Sequence, residues 1–216
     1  MSVLFPISQQ TLPEWVRNFF ASSLVFIAVF MVIVTNITPI QRVMLKKAQL
    51  RDYVVFVVLF GLFSILGTYA GVRSPDGSII NFRDFAPIIA GLVAGPYVGL
   101  AVGLIGGVQR LFLGGVSAVP CSLETILAGL LAGLVYRLNK TRLLGPVWAM
   151  AFTFGIELLH AGLLLLLIKP FTEAVTVTVS VIPLMLIVIP VGVGVSVIII
   201  KFKEDVVKLK AGGAAK

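Results

Sequence analysis

The chain has 216 residues, of which 59% are hydrophobic and 12% charged, with a net charge of +8 and a mean hydropathy of +1.10. A soluble domain is about 45–50% apolar and about 25% charged, so a polar shell around a globular core cannot be built from this sequence. The single cysteine excludes an internal disulfide framework, and the basic residues cluster in short stretches between apolar runs, as in cytoplasmic loops rather than on a nucleic-acid surface.

The apolar runs are longer and less interrupted than the ~10-residue alternating segments of a barrel. They read as helices, which satisfy every backbone group within the segment. No basic stretch or small-residue cleavage site precedes the first run, so it is read as a retained helix and not a signal peptide. Residues 1–17, with Pro6, Pro13 and Trp15, read as an interfacial segment. The first span is 19–37. The loop 41–52 carries Arg42, Lys46, Lys47 and Arg51, and the second span is 53–72. Arg73, Ser74, Pro75, Asp76 and Gly77 are turn formers. From 78 to 115 the chain stays mostly apolar, about twice the 20 residues that one span needs. Gly95-Pro96 interrupts it, and two helices, 79–94 and 97–113, are expected to hinge there. The fifth span, 121–136, leads into a loop with Arg137, Lys140 and Arg142. Spans 146–168 and 177–200 follow, separated by Lys169-Pro170.

The expected fold class is therefore all-α, a polytopic transmembrane bundle of six or seven helices with a Gly-Pro-broken central hairpin. The expected organisation is an interfacial segment at 1–17, a membrane domain at 18–200 and a cytoplasmic basic tail at 201–216. With the N-terminus outside and seven crossings, one face receives Arg42, Lys46, Lys47, Arg51, Arg137, Lys140, Arg142 and the five lysines of the tail. That is twelve of the seventeen Lys and Arg. Arg17, Arg73, Arg83, Arg110 and Lys169 fall on the other. The positive-inside rule holds only if Gly95-Pro96 reverses the chain, by a full crossing or a re-entrant loop. The protein is thus expected in the plasma membrane with its C-terminus in the cytoplasm.

Gly91, Gly95, Gly99, Gly103 and Gly107 recur every four residues, and Gly129 and Gly133 repeat the spacing. Residues at i and i+4 share a helix face, so the glycines form flat strips where backbones approach closely. The simpler reading is packing; the functional one is a tight cavity with accessible backbone donors beside the Gly95-Pro96 hinge.

Arg83, Arg110, Glu124, Glu157 and His160 lie in or at the ends of apolar segments, where each costs ~2.5–3.5 kcal/mol at mid-span. They are expected to face the interior and find partners. Arg83, Arg110, Cys121 and Glu124 converge near the outer ends of the third, fourth and fifth spans. Two guanidiniums at one place suit a carboxylate or phosphate. The plainer alternatives are Arg83 pairing with Asp84 or lipid headgroups, Arg110 pairing with Glu124, and Cys121 serving as a small filler. Glu157 and His160, at i and i+3, are either a satisfied polar pair or a proton relay. One His and one Cys argue against a structural zinc site. No nucleophile–base set, phosphate loop or dinucleotide fingerprint occurs, so neither an enzyme active site nor a cofactor is expected.

An ordered set of motifs runs through the middle of the chain. It comprises Leu66-Gly67-Thr68-Tyr69, Asn81-Phe82-Arg83, Gly91 to Gly95-Pro96, Gly106-Gly107-Val108-Gln109-Arg110, Gly114-Gly115, Cys121 and the later Glu157. The set resembles the transmembrane sensor region of LytS/YhcK-type receptors, over roughly residues 50–200. In that family the region heads sensor histidine kinases or cyclic-dinucleotide enzymes. The resemblance implies a small, pyruvate-like carboxylate ligand entering from outside and held at the positions of Arg83, Arg110 and Cys121, with Asn81 beside them. Two departures bear on this: Glu124 replaces the serine that pyruvate sensors carry one turn after the cysteine, and the sequence ends about 16 residues after the last span without a catalytic module.

The reading that follows is a receptor domain. A small organic acid binds at Arg83 and Arg110, with Cys121 and Glu124 shaping the pocket, and the last span carries the change to a cytoplasmic kinase or other output protein. The bilayer and, as a homodimer, a second copy of the chain complete the expected partners; nucleic acid is not among them. The alternative is the substrate-binding membrane subunit of a small-molecule uptake system, since a Gly-Pro break amid small residues also marks transport sites. A third reading is a structural membrane protein whose arginines hold lipid headgroups.

Overall fold

The computed structural model describes residues 14–73 and 79–213. Residues 1–13, and all of the turn expected at 73–77 except Arg73, lie outside them. Eight helices follow one another: α1 (Glu14–Val34), α2 (Thr38–Met44), α3 (Leu50–Tyr69), α4 (Phe85–Ala94), α5 (Pro96–Phe112), α6 (Ala118–Leu138), α7 (Pro146–Leu167) and α8 (Phe171–Gly213). Two residue pairs, β1 (Val72–Arg73) and β2 (Ile79–Ile80), join antiparallel between α3 and α4. Among the described helices α1, α3, α6, α7 and α8 are long and apolar enough to cross a bilayer. The chain is a multi-pass helical membrane bundle.

Gly95-Pro96 reverses the chain. Gly95 takes φ +92°, a region open to glycine, and Pro96 starts α5 at a position where its missing N–H costs nothing. The two helices of the hairpin then close on their glycines. A β-carbon on Gly99 would stand 2.8 Å from Gly91 Cα and collide with the Gly129 carbonyl; one on Gly91 would meet Gly129 O at 2.5 Å and Gly133 N at 2.6 Å. Gly103 and Gly107 face α6 backbone in the same way: a β-carbon on either would stand 2.8 Å from a carbonyl oxygen, of Thr125 and Ser122 respectively. The strips are backbone-to-backbone contacts among α4, α5 and α6.

Three expectations change. The helix expected over 79–94 begins only at Phe85, because Asn81 turns the chain: its Oδ1 accepts the Arg83 backbone N–H at 3.1 Å, and Ile79–Ile80 pair with β1. At about 1.5 Å per residue the ten residues of α4 reach only about half of a 30 Å hydrocarbon core. The loop expected at 41–52 is helical at both ends: 41–44 belong to α2, opened by Pro39, and 50–52 to α3. The last span does not stop at 200. α8 runs 43 residues through Pro183 and Pro190 and extends well past the hydrocarbon at one end.

The basic loops gather at that end. Lys46 Nζ donates to Thr141 Oγ1 at 3.1 Å, and Lys203 donates to the Asn36 side chain. The loops after α2 and α6 and the end of α8 therefore share one face of the bundle, as the charge count requires. A cluster of stacked and edge-on phenylalanines, Phe30, Phe63, Phe82 and Phe85 among them, ties α1 and α3 to the start of α4 in the opposite half.

Candidate functional site

The entry to α4 is held from three sides before any side-chain chemistry is considered. Ser64 of α3 donates its hydroxyl to the Arg83 carbonyl at 3.2 Å. Gly67, one turn on, lies against Arg83 backbone: a β-carbon there would sit 3.1 Å from Arg83 Cα. Gly106 leaves room for the Ser64 hydroxyl. Two of the motif glycines thus serve to seat Arg83.

Arg83 is fully buried. Its Nε donates to Thr125 Oγ1 at 2.7 Å and to Asp84 Oδ1 at 3.2 Å, and Nη2 reaches the Cys121 carbonyl at 3.4 Å. Thr125 in turn donates to Asp84 Oδ1 at 2.6 Å. Asp84 and Thr125 were not singled out from the sequence. Asp84 was named only as an alternative partner of Arg83, and that pairing is present. Thr125 lies one helical turn after Cys121, so the i, i+4 rule was the signal available.

Arg110, near the end of α5, is also buried but turns upward. Nη1 donates to the Gly114 carbonyl at 2.7 Å and Nη2 to Ser117 Oγ at 2.9 Å, so the guanidinium fastens the α5–α6 turn. Glu124 does not pair with it. Glu124 faces α7, with Oε2 3.9 Å from His160 Nδ1, while Glu157 Oε2 lies 3.5 Å from the same nitrogen. The reason is helix phase: Glu124 sits two turns inside α6, on the face it shares with Cys121 and Thr125, whereas Arg110 reaches only the turn above. His160 Nε2 completes the link at 3.3 Å from Cys121 Sγ.

Arg83, Asp84, Cys121, Thr125, Glu124, Glu157 and His160 therefore form one buried cluster, with Arg110 and Ser117 above it, whereas the expected ligand residue Asn81 spends its amide on the backbone of Ile79 and Arg83. Within the cluster and at Arg110 above it, the buried polar atoms without a hydrogen-bond partner among the described residues are Arg83 Nη1, Arg110 Nε, both oxygens of Glu124 and of Glu157, and His160 Nδ1. Buried polar groups are normally bonded, so the cluster has unused donors and acceptors. Asp84, Glu124 and His160 each offer a metal-ligating atom within 4.8 Å of the others, although Asp84 Oδ1 is already engaged by Arg83 and Thr125.

Residues 37–202, most of the chain, match the family model described as 5TMR of 5TMR-LYT. The chain belongs to this family. The 5TMR-LYT match covers the LytS-type resemblance read from the motifs, and it spans α2 to α8. The chain is similar to the sensor histidine kinase BtsS of Escherichia coli K12, 38% identical over 123 residues covering 55% of this chain and 22% of the relative. It is similar to the sensor protein LytS of Bacillus subtilis, 32% identical over 137 residues, 56% of this chain and 23% of the relative. The sensor histidine kinase YpdA of Escherichia coli K12 is 36% identical over 85 residues, 38% of this chain and 15% of the relative. The alignments thus span about a quarter or less of those relatives. No solved structure matches the chain.

Proposed function

We propose that this 5TMR-LYT chain is the sensing region of a receptor that binds a small carboxylate of pyruvate-like size at the buried cluster and signals to a cytoplasmic kinase or other output module through α8. Support comes first from the relatives, which are named as sensors and align with this chain over part of their length. The observation that carries the ligand class is that two buried arginines, from successive elements, each keep one N–H without a partner, Arg83 Nη1 and Arg110 Nε. A carboxylate supplies what those donors lack. Cys121 lies between them and His160. A ligand that holds Arg110 also holds the Gly114–Ser117 turn, so binding bears on how α5 and α6 meet; it shifts the bundle only by favouring one arrangement over another.

The test is a calorimetric series of mono- and dicarboxylates on purified protein, repeated with Arg110→Lys. Lysine keeps the charge and loses the planar fork. The variant is expected to fold and to bind about tenfold or more weakly, the loss of one charge-assisted bond. Equal affinity would remove Arg110 from the site. Glu124→Ser removes an acid from beside the anion and is expected to tighten carboxylate binding; unchanged affinities across the series would place the ligand away from α6.

The orientation is part of the same reading: N-terminus outside, basic face in the cytoplasm. A cysteine introduced at Lys140 in a Cys121→Ala background is expected to resist an impermeant thiol reagent in intact cells and to react in inverted vesicles. Labelling in intact cells would reverse the orientation.

A further inference from the structure

The basic face contains a cavity of about 340 Å³ that the ligand reading does not use. Five parts of the fold meet there: the turn after α2, the ends of α4 and α6, the loop after α6, and α8 where it leaves the bundle. Its floor is apolar, from Met44, Val93, Leu143 and Ile200; its rim carries Lys46, Arg142, Lys201 and Lys208 against one acid, Glu204. Lys208 lies 3.8 Å from Glu204, and Lys46 is bonded to Thr141. Among the described residues Arg142 and Lys201 have no side-chain hydrogen bond or ion pair, and the one acid of the rim, Glu204, is shared among Lys46, Lys201 and Lys208; four cations against one acid leave the rim net positive.

The backbone marks the same place. Among the described residues, the non-glycine residues with positive φ are Lys46 at 58°, Lys140 at 55° and Thr141 at 57°. Lysine rarely adopts this conformation and a β-branched residue still less often. All three are in the two loops that close the cavity, and Lys46 and Thr141 bond to each other across it. Lys46 and Lys140 stand one residue past the C-caps of α2 and α6, where helices commonly end in this conformation: the Lys47 N–H bonds the Arg42 carbonyl and the Thr141 N–H bonds the Tyr136 carbonyl, so both loops are fixed by their own helix ends.

From this juxtaposition we infer that the cavity binds the phosphodiester headgroup of an anionic phospholipid. Arg142 and Lys201 take the phosphate, and the apolar floor takes the adjoining glycerol and the first carbons of the chains. A lipid is favoured over a soluble phosphate because the cavity combines cations with an apolar floor at the level where helices leave the bilayer. The bound group joins α8 to the loops after α2 and α6, and so fixes the helix that leads away from the sensing cluster.

Native mass spectrometry of the full chain, released from nanodiscs of equal phosphatidylglycerol and phosphatidylcholine, tests this. Retention of phosphatidylglycerol over phosphatidylcholine is expected in the wild type; equal retention would overturn the inference without any variant. Arg142→Gln with Lys201→Gln is expected to weaken phosphatidylglycerol binding roughly thirtyfold, at about a factor of five per cation. Lys47→Gln with Arg51→Gln, the same charge change on the same face outside the cavity, is expected to leave retention nearly unchanged. Equal losses in the two double variants would mean general surface attraction and no site. Thermal stabilisation by inorganic phosphate or glycerol phosphate matching that of the lipid would assign the cavity to a soluble phosphate instead.

Discussion

Gly99→Leu is expected to prevent assembly of α4, α5 and α6, giving aggregated protein or a melting temperature far below the wild type in the same detergent. A β-carbon at 99 collides with the Gly129 carbonyl and comes within 2.8 Å of Gly91 Cα. Both obstacles are backbone, in two helices that are themselves packed, so neither can rotate aside. Gly61 makes the contrast: the nearest atom to a β-carbon there is the end of the Ile105 side chain, which can move. Overpacking a side-chain contact costs about 1–3 kcal/mol. Forcing two backbones apart exceeds that and takes up a large share of a total stability of roughly 5–15 kcal/mol. Gly155→Leu is the control, because nothing lies within 4 Å of a β-carbon at that position on α7. Size-exclusion profiles and melting curves of the two variants check the claim; similar melting would mean that the glycine strip is not a backbone contact.

The same glycines show how much of the fold was legible. Their four-residue spacing, the proline after Gly95 and the need to bring 137–142 back to the basic face all pointed to a reversal, and the reversal is there. The long spans α1, α3, α6 and α7 were legible because length and hydropathy are properties of a segment by itself. The entry to α4 was not. An apolar run gives no warning that Asn81 will take the Arg83 N–H and hold 79–84 out of the helix. The site was legible as buried charges and not as pairs. A charge in an apolar segment must face inward, and Arg83, Arg110, Glu124, Glu157 and His160 are all buried; that Glu157 and His160 join Cys121 and Glu124 was not legible. Which neighbour each would meet depends on the relative rotation of helices, and a single sequence does not encode that in readable form. Hence Glu124 was assigned to Arg110 but faces His160. Asp84, next in sequence to Arg83, would diverge from it in a helix and converges only because the chain turns there.

The Arg83–Asp84 pair carries the second large effect. Both side chains are fully buried, 3.2 Å apart. Arginine does not lose its proton in proteins, so Asp84→Ala leaves a buried cation with only the Thr125 hydroxyl and the Cys121 carbonyl as partners. Breaking a buried pair in this way costs about 3–5 kcal/mol, which for a chain of this size lowers the melting temperature by on the order of 10 °C. Thr125 adds little to that cost, because its hydroxyl turns to the Cys121 carbonyl 2.8 Å away. The double variant Arg83→Leu, Asp84→Leu behaves differently. Replacing both charges by apolar groups is often neutral, because no desolvated ion remains; the melting temperature is expected to return to near the wild-type value. Carboxylate binding, measured on the same samples by calorimetry, is expected to be absent from the double variant, since the free Nη1 donor is gone. The two readouts separate the roles of Arg83. A double variant that melts as low as Asp84→Ala would show that Arg83 is needed for packing, through the stem seated by Ser64 and Gly106. One that melts normally and still binds carboxylate would show that Arg83 is needed for neither stability nor binding, and would move the ligand to Arg110 alone.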